Sequence, residues 1–153
     1  MRAAHVLMFT ITAVLLCGCN PSDRRPGLWL SGEPAEFPAD WSFTNGIKEI
    51  AIQVATPYLI PHSVTIWCAS LDGELYVGAR APETKRWPAW VERDPNVRLL
   101  VDGKLYDATL VPLEDPATLA QLLPVYAEKY SLPAGAQPPD APRSRYWRVT
   151  ARH

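Results

Sequence analysis

Arg80, Lys85 and Arg86 stand within seven residues of one another, with Glu83 the one acidic residue among them. Arginine can grip a phosphate through two parallel hydrogen bonds, and lysine adds a compact positive charge. This spacing can therefore hold a phosphorylated ligand; a solvated turn would carry the same residues. Trp67, Trp87 and Trp90 offer flat surfaces on which a planar ring could stack, although tryptophans so placed are more often core. His62 and Ser63 are adjacent, and neighbours on a strand point to opposite faces, so they cannot act as base and nucleophile. Cys68 has no basic neighbour in sequence and reads as a buried, inert thiol. Asp72, Asp102 and Asp107 are explained by turns and solvent faces. Three histidines and three cysteines leave little material for a metal site. Catalytic side chains are thus not evident, which leaves chemistry carried by a bound cofactor as an open route.

The elements around these residues read mostly as strands. Ile50, Ile52 and Val54 alternate with Glu49, Ala51 and Gln53, and Val64 and Ile66 alternate with Thr65 and Trp67. Asp72-Gly73 and Asp102-Gly103 are hairpin turns. The first joins the strand Ser63–Ser70 to Leu75–Ala79, and the second joins Val97–Val101 to Leu105–Val111. Trp87–Arg93 suits a short helix that Pro95 stops. Asp115 before Pro116 opens a second helix with a stripe of Leu119, Leu122, Leu123, Tyr126 and Tyr130. Pro124 inside that stripe predicts a kink or a break into two helices. Residues 132–142 are proline-rich and extended, and Tyr146–Thr150 closes the chain as a sixth strand at the sheet edge. The expected fold is mainly β with short helices (α+β), a six-stranded antiparallel barrel with helices plugging or flanking it.

The remaining composition fits one globular domain, with 48% hydrophobic and 20% charged residues. Fifteen basic against 16 acidic residues provide nothing to draw the chain onto nucleic acid or an acidic membrane. At the N-terminus, Arg2 and His5 precede the apolar run Val6–Leu16, too short to span a bilayer and of the kind that starts a secretory signal. Leu16-Cys17-Gly18-Cys19 resembles the lipobox of bacterial lipoproteins. That resemblance implies cleavage before Cys19 and its lipidation, with residues 1–18 a signal peptide. The protein is then expected in the cell envelope, held to a bacterial membrane by its lipid, with the domain facing the periplasm or the exterior. Cys68 would be the only thiol left, so no internal disulfide is possible. Residues 19–44, with Pro21, Pro26, Pro34 and Pro38, read as a tether, although Trp29 and Trp41 are of a kind to pack on the domain, the expected use, or to sit at the lipid interface. The domain is placed at 45–153.

Three stretches carry a further likeness. Pro61-His62-Ser63-Val64-Thr65-Ile66-Trp67, the basic turn Lys85-Arg86 through Trp90, and Asp94-Pro95-Asn96-Val97 followed by Val101-Asp102-Gly103 occur in an order and spacing that resembles the flavin-binding split-barrel superfamily. This superfamily includes pyridoxamine-phosphate oxidase-like proteins and deazaflavin-dependent nitroreductases, and the likeness covers roughly residues 45–131. It implies FMN or a deazaflavin as cofactor, with its phosphate held by Ser63, Thr65, Arg80 and Lys85 or Arg86, and a small-molecule substrate. It also leaves open a homodimer with the cofactor at the interface. The glycine- and arginine-rich turn of that superfamily between its first two strands is replaced here by Thr56-Pro57-Tyr58-Leu59-Ile60-Pro61.

Three functions remain compatible with the sequence. One is a lipid-anchored flavin or deazaflavin oxidoreductase. Another is a non-catalytic domain of the same fold with some other ligand or none. The last is an envelope interaction protein using the tether and an exposed Tyr146-Trp147 edge.

Overall fold

The computed structural model describes residues 27–132 and 143–152. Cys19 and the signal segment lie outside them, as does the proline-rich stretch from 133 to 142. Strand β1 is the two-residue Glu33–Pro34, and the barrel strands follow as β2 (Glu49–Val54), β3 (His62–Leu71), β4 (Glu74–Arg80), β5 (Asn96–Val101), β6 (Lys104–Pro112) and β7 (Ser144–Ala151). Helices α1 (Trp87–Arg93) and α2 (Pro116–Lys129) complete the chain.

The alternation read in the sequence sets the inner face. Ile50, Ile52 and Val54 of β2 meet Leu75, Val77 and Ala79 of β4 and Val97, Leu99 and Val101 of β5 in one core. Both Asp-Gly turns have positive φ at each residue, 52° and 79° at Asp72-Gly73 and 46° and 77° at Asp102-Gly103. That is the backbone twist a tight hairpin needs.

The strands pair in the order β6-β5-β2-β3-β4-β7, and β7 returns to β6. The result is a closed six-stranded antiparallel barrel. The last strand is therefore not at an edge. It pairs with β4 from Tyr76↔Arg148 to Arg80↔Ser144 and with β6 from Ala108↔Ala151 to Pro112↔Trp147. Trp147 and Val149 enter the core while the backbone is satisfied on both sides, and closure removes the two edges an open sheet would leave.

Helix α2 is not broken in two, one of the alternatives that Pro124 left open. It runs without interruption through Pro124. Proline removes the hydrogen bond to the carbonyl four residues earlier, here that of Ala120. Both Ala120 and Pro124 are exposed, so water can satisfy that carbonyl, while Leu122 and Tyr126 anchor the opposite face. At its start the Asp115 carboxylate accepts from the Thr118 N–H at 2.8 Å, the cap foreseen.

The described part of the expected tether is laid along the barrel instead of standing off it. Trp41, 2% exposed, is a core residue, packed edge-on against Tyr106 at 5.0 Å. The Glu33 N–H donates to the Gly103 carbonyl and the Ala35 N–H to that of Leu105. Gly32 allows this approach, because a Cβ there would stand 2.6 Å from the Gly103 oxygen. Burying an indole of this size outweighs the freedom the segment loses.

Candidate functional site

Strand β3 serves two partners. Residues His62–Trp67 pair with β2 and Cys68–Leu71 with β4, so the two ladders fork at Cys68. A fork leaves backbone groups without a strand partner. Tyr126 of helix α2 and Tyr130 directly after it supply partners. The Tyr130 hydroxyl accepts from the Cys68 N–H at 2.9 Å and faces the carbonyls of Cys68 and Lys48 at 2.8 and 2.5 Å. The Tyr126 hydroxyl donates to the Tyr76 carbonyl at 3.0 Å. Burial pushes both tyrosine hydroxyls above their ordinary range.

The cations follow β4. Ala81 takes the left-handed conformation at φ 48°, and its N–H donates to the Arg143 carbonyl at 2.8 Å. A non-glycine residue held there stores backbone strain and turns the chain sharply. The turn brings Lys85 back, and its Nζ donates to the Arg80 carbonyl at 2.7 Å. Arg86 is exposed immediately before α1. Four ion pairs occur among the described residues, on Arg98, Arg145, Arg148 and Arg152. None involves Arg80, Lys85 or Arg86. Their charge is therefore available to an anion as far as the described residues go.

The two hydroxyls expected beside them divide. Thr65 is exposed on the outer face of β3, its hydroxyl without a hydrogen-bond partner among the described residues. Ser63 is buried; its hydroxyl donates to the Leu28 carbonyl and its N–H to that of Gly27. Because the segment before Trp41 covers it, Ser63 holds that segment down and cannot receive a phosphate in this arrangement. Lys85 thus reaches back to the Arg80 carbonyl with Arg86 next to it in the chain, Thr65 is open, and Ser63 is covered.

The aromatic rings sort as well. Trp87 is core, tilted on Trp147 at 5.1 Å. Trp90 packs edge-on with His62 at 5.3 Å, which fills one side of that imidazole. Trp67 is 43% exposed and lies parallel to the Tyr130 ring, with centroids 4.2 Å apart and planes 7° apart.

Cys68 is buried as expected, but it has a basic neighbour in space. Lys129 Nζ stands 3.6 Å from its sulfur and donates to the Thr44 carbonyl at 2.9 Å. Burial nevertheless raises the thiol above its ordinary value, the lysine only partly offsetting it. A residue 61 positions away could not be found by inspecting the neighbours of Cys68 in sequence.

A cleft of about 580 Å³ opens between Trp29, Leu59, Gln53 and Arg98. Its two guanidiniums are engaged. Arg98 Nε and Arg152 Nη1 meet Asp107 at 3.0 and 3.7 Å. Among the described residues no group of three or more His, Cys, Asp or Glu could hold a metal ion.

No family's sequence model matches the chain, and no curated protein does. Solved structures do. A conserved hypothetical protein of Mycobacterium tuberculosis superposes with a TM-score of 0.57 and 23% identity, over 72% of this chain and 77% of that one. A putative 5-nitroimidazole antibiotic resistance protein of Bacteroides thetaiotaomicron gives 0.56 and 15%, over 71% and 75%. A Clostridium acetobutylicum protein related to general stress protein 26, of the pyridoxinephosphate oxidase family, gives 0.52 and 18%, over 71% and 78%. The fold is a split barrel. The split barrel accounts for the fork at Cys68 and for the return of β7 to β6, and its agreement with the pyridoxamine-phosphate oxidase-like and nitroimidazole-resistance structures is one of backbone architecture.

Proposed function

We propose that this protein is a lipid-anchored envelope oxidoreductase whose split barrel binds a flavin or deazaflavin and acts on a small molecule. The observation that carries this reading is the group Arg80, Lys85 and Arg86, which no carboxylate among the described residues neutralises. These three, with the Thr65 hydroxyl, would hold the phosphate of such a cofactor; Ser63 would not. The bound group would supply the hydride or electron transfer, and the chain would contribute binding and shielding from water. The anchor rests on the Leu16-Cys17-Gly18-Cys19 sequence.

A non-catalytic barrel is the second reading. What favours it is the loss of Ser63 from the phosphate set, together with the loop Thr56–Pro61 in place of the glycine- and arginine-rich turn. The envelope-interaction reading loses one support, since Trp147 is buried and the strand that carries it has no free edge.

Titration of the mature chain with FMN, and separately with a deazaflavin, followed by absorbance and fluorescence, tests the cofactor. Saturable binding of either below millimolar concentration is the expected result, and its absence for both overturns the oxidoreductase reading. Cys19→Ser tests the anchor. The variant is expected in the soluble fraction without the mass of acyl chains, whereas unchanged membrane retention overturns the anchored reading.

A further inference from the structure

The loop Thr56–Pro61 and the segment Gly27–Leu30 hold five of the ten large apolar side chains exposed among the described residues. Leu59 is 94% exposed and Trp29 64%, with Leu28, Tyr58 and Ile60 also exposed. Single exposed apolar residues are ordinary, but a cluster of five marks an interaction surface. The two segments are joined, since Ser63, just after the loop, bonds the Gly27 and Leu28 carbonyls, and Trp29 and Leu59 flank one cleft. Neither Gly27–Gly32 nor Ala55–Ser63 contains Asp, Glu, Lys or Arg, and the charged residues of the cleft, Asp94, Arg98, Asp107 and Arg152, come from other segments.

Leu59 is the most telling member. It holds φ at 65°, a conformation suited to glycine or asparagine, and it does so with its side chain in water. Neither local preference nor packing explains a leucine there. The loop is also stiff: the Thr56 hydroxyl donates to the Ile60 carbonyl at 2.6 Å, Pro57 and Pro61 frame it, and the Tyr58 ring stands edge-on to Trp90 at 6.0 Å. An apolar tip is thus held out in advance of any partner.

We propose that this patch docks on the lipid bilayer, with Leu59 and Ile60 in the acyl boundary and Trp29 and Tyr58 at headgroup level. The argument for lipid over protein is one of leash length and rests on the anchored reading above. Eight peptide steps from Cys19 to Gly27 reach at most about 30 Å, no more than the width of a domain of this size. The patch begins one residue after that leash. A domain so tied presents the patch to the membrane that holds its lipid. Tryptophan and tyrosine suit the boundary between headgroups and chains, and an uncharged leucine tip suits the depth beyond it.

The test uses the whole mature chain in vesicles of three parts phosphatidylethanolamine to one part phosphatidylglycerol, with brominated acyl chains as quenchers. Quenching of part of the tryptophan emission is expected, and Trp29→Phe should abolish that part. Leu59→Asp should reduce it at least threefold. Quenching that is absent, or unchanged by Trp29→Phe, overturns the proposal, as does a stable dimer by sedimentation in which Trp29 stays unquenched. Mass spectrometry of the same sample reports the acyl chains independently. If Cys19 carries none, the anchored reading fails, and the proposal is then decided on the unacylated chain at millimolar lipid. There, vesicle binding that weakens at least tenfold in Leu59→Asp supports it, and no binding overturns it.

Discussion

Tyr130 lies flat on Trp67, ring to ring at 4.2 Å, while its hydroxyl bonds the backbone of Cys68, the next residue along the strand. One side chain thus closes both the outer surface and the broken ladder at the fork. Tyr130→Phe would keep the stacking and leave the Cys68 N–H without a partner. Such an orphaned group costs about 1–3 kcal/mol. A urea midpoint lowered accordingly, with little change in tryptophan emission, is the expected outcome.

Trp41 should matter as much as any barrel residue although it precedes the barrel strands. Its ring is buried, and its indole N–H has no hydrogen-bond partner among the described residues. Trp41→Ala is expected to cost about 3–5 kcal/mol, the scale of deleting a large buried ring. Trp41→Phe should cost much less, because it also removes the orphaned donor. Equal losses for the two would contradict this account of the site.

Ser63 and the Lys85–Arg86 pair should separate stability from binding. Ser63→Ala removes the hydroxyl that holds Leu28 and should lower stability by about 1 kcal/mol while leaving FMN affinity unchanged. Replacing Lys85 and Arg86 together by alanine should do the reverse. Charge-assisted bonds to phosphate contribute about 1.5–3 kcal/mol each, so affinity should fall about a hundredfold or more. Folding should barely change, since exposed charges of a turn add little. Denaturation and ligand titration of both variants check the pair of outcomes.

Stability should decline in alkali. Burial holds the Cys68 thiol and the Tyr126, Tyr130 and Tyr146 hydroxyls above their ordinary values, and burial with the Glu74 hydrogen bond pushes Tyr76 up to about 12. Unfolding releases these groups to ionise nearer their ordinary values. The unfolded chain then binds fewer protons than the native one. The stabilisation is complete below about pH 8.5, under the ordinary value of the thiol, and is lost as the pH rises toward and beyond 12. Urea midpoints should be flat between about pH 7 and 8.5 and fall above that, whereas a midpoint constant to about pH 11 would contradict the assignment.

Much of the barrel was legible because its signals are local. The alternation in Glu49–Val54, the two Asp-Gly turns and the Asp115 cap each depend on neighbours within a few residues. What was not legible depends on distance in sequence. The second ladder of β7 requires Val111 to meet Arg148, and nothing in either segment announces that pairing. Lys129 beside Cys68, and Gly27–Leu28 over Ser63, are likewise products of the closed fold. Pro124 allowed a kink or a break, and the break does not occur. The local rule applies, but it yields where the freed carbonyl faces water. The basic turn was read from its charges and from the family likeness, whereas Ser63 came from the likeness alone and is covered, because a family position does not carry its surroundings with it.

The double pairing of Ser144–Ala151 has a consequence for how the molecule comes into being. A chain appears from its N-terminus, so every other strand is available before this one. Until it arrives, Glu74–Arg80 and Lys104–Pro112 are two unfinished borders open to any extended peptide nearby. Their completion joins residues far apart along the chain, the slow kind of contact. A chain stopped near residue 140 would therefore be less a shortened protein than a template for self-association. The last strand acts as the clasp that ends that hazard.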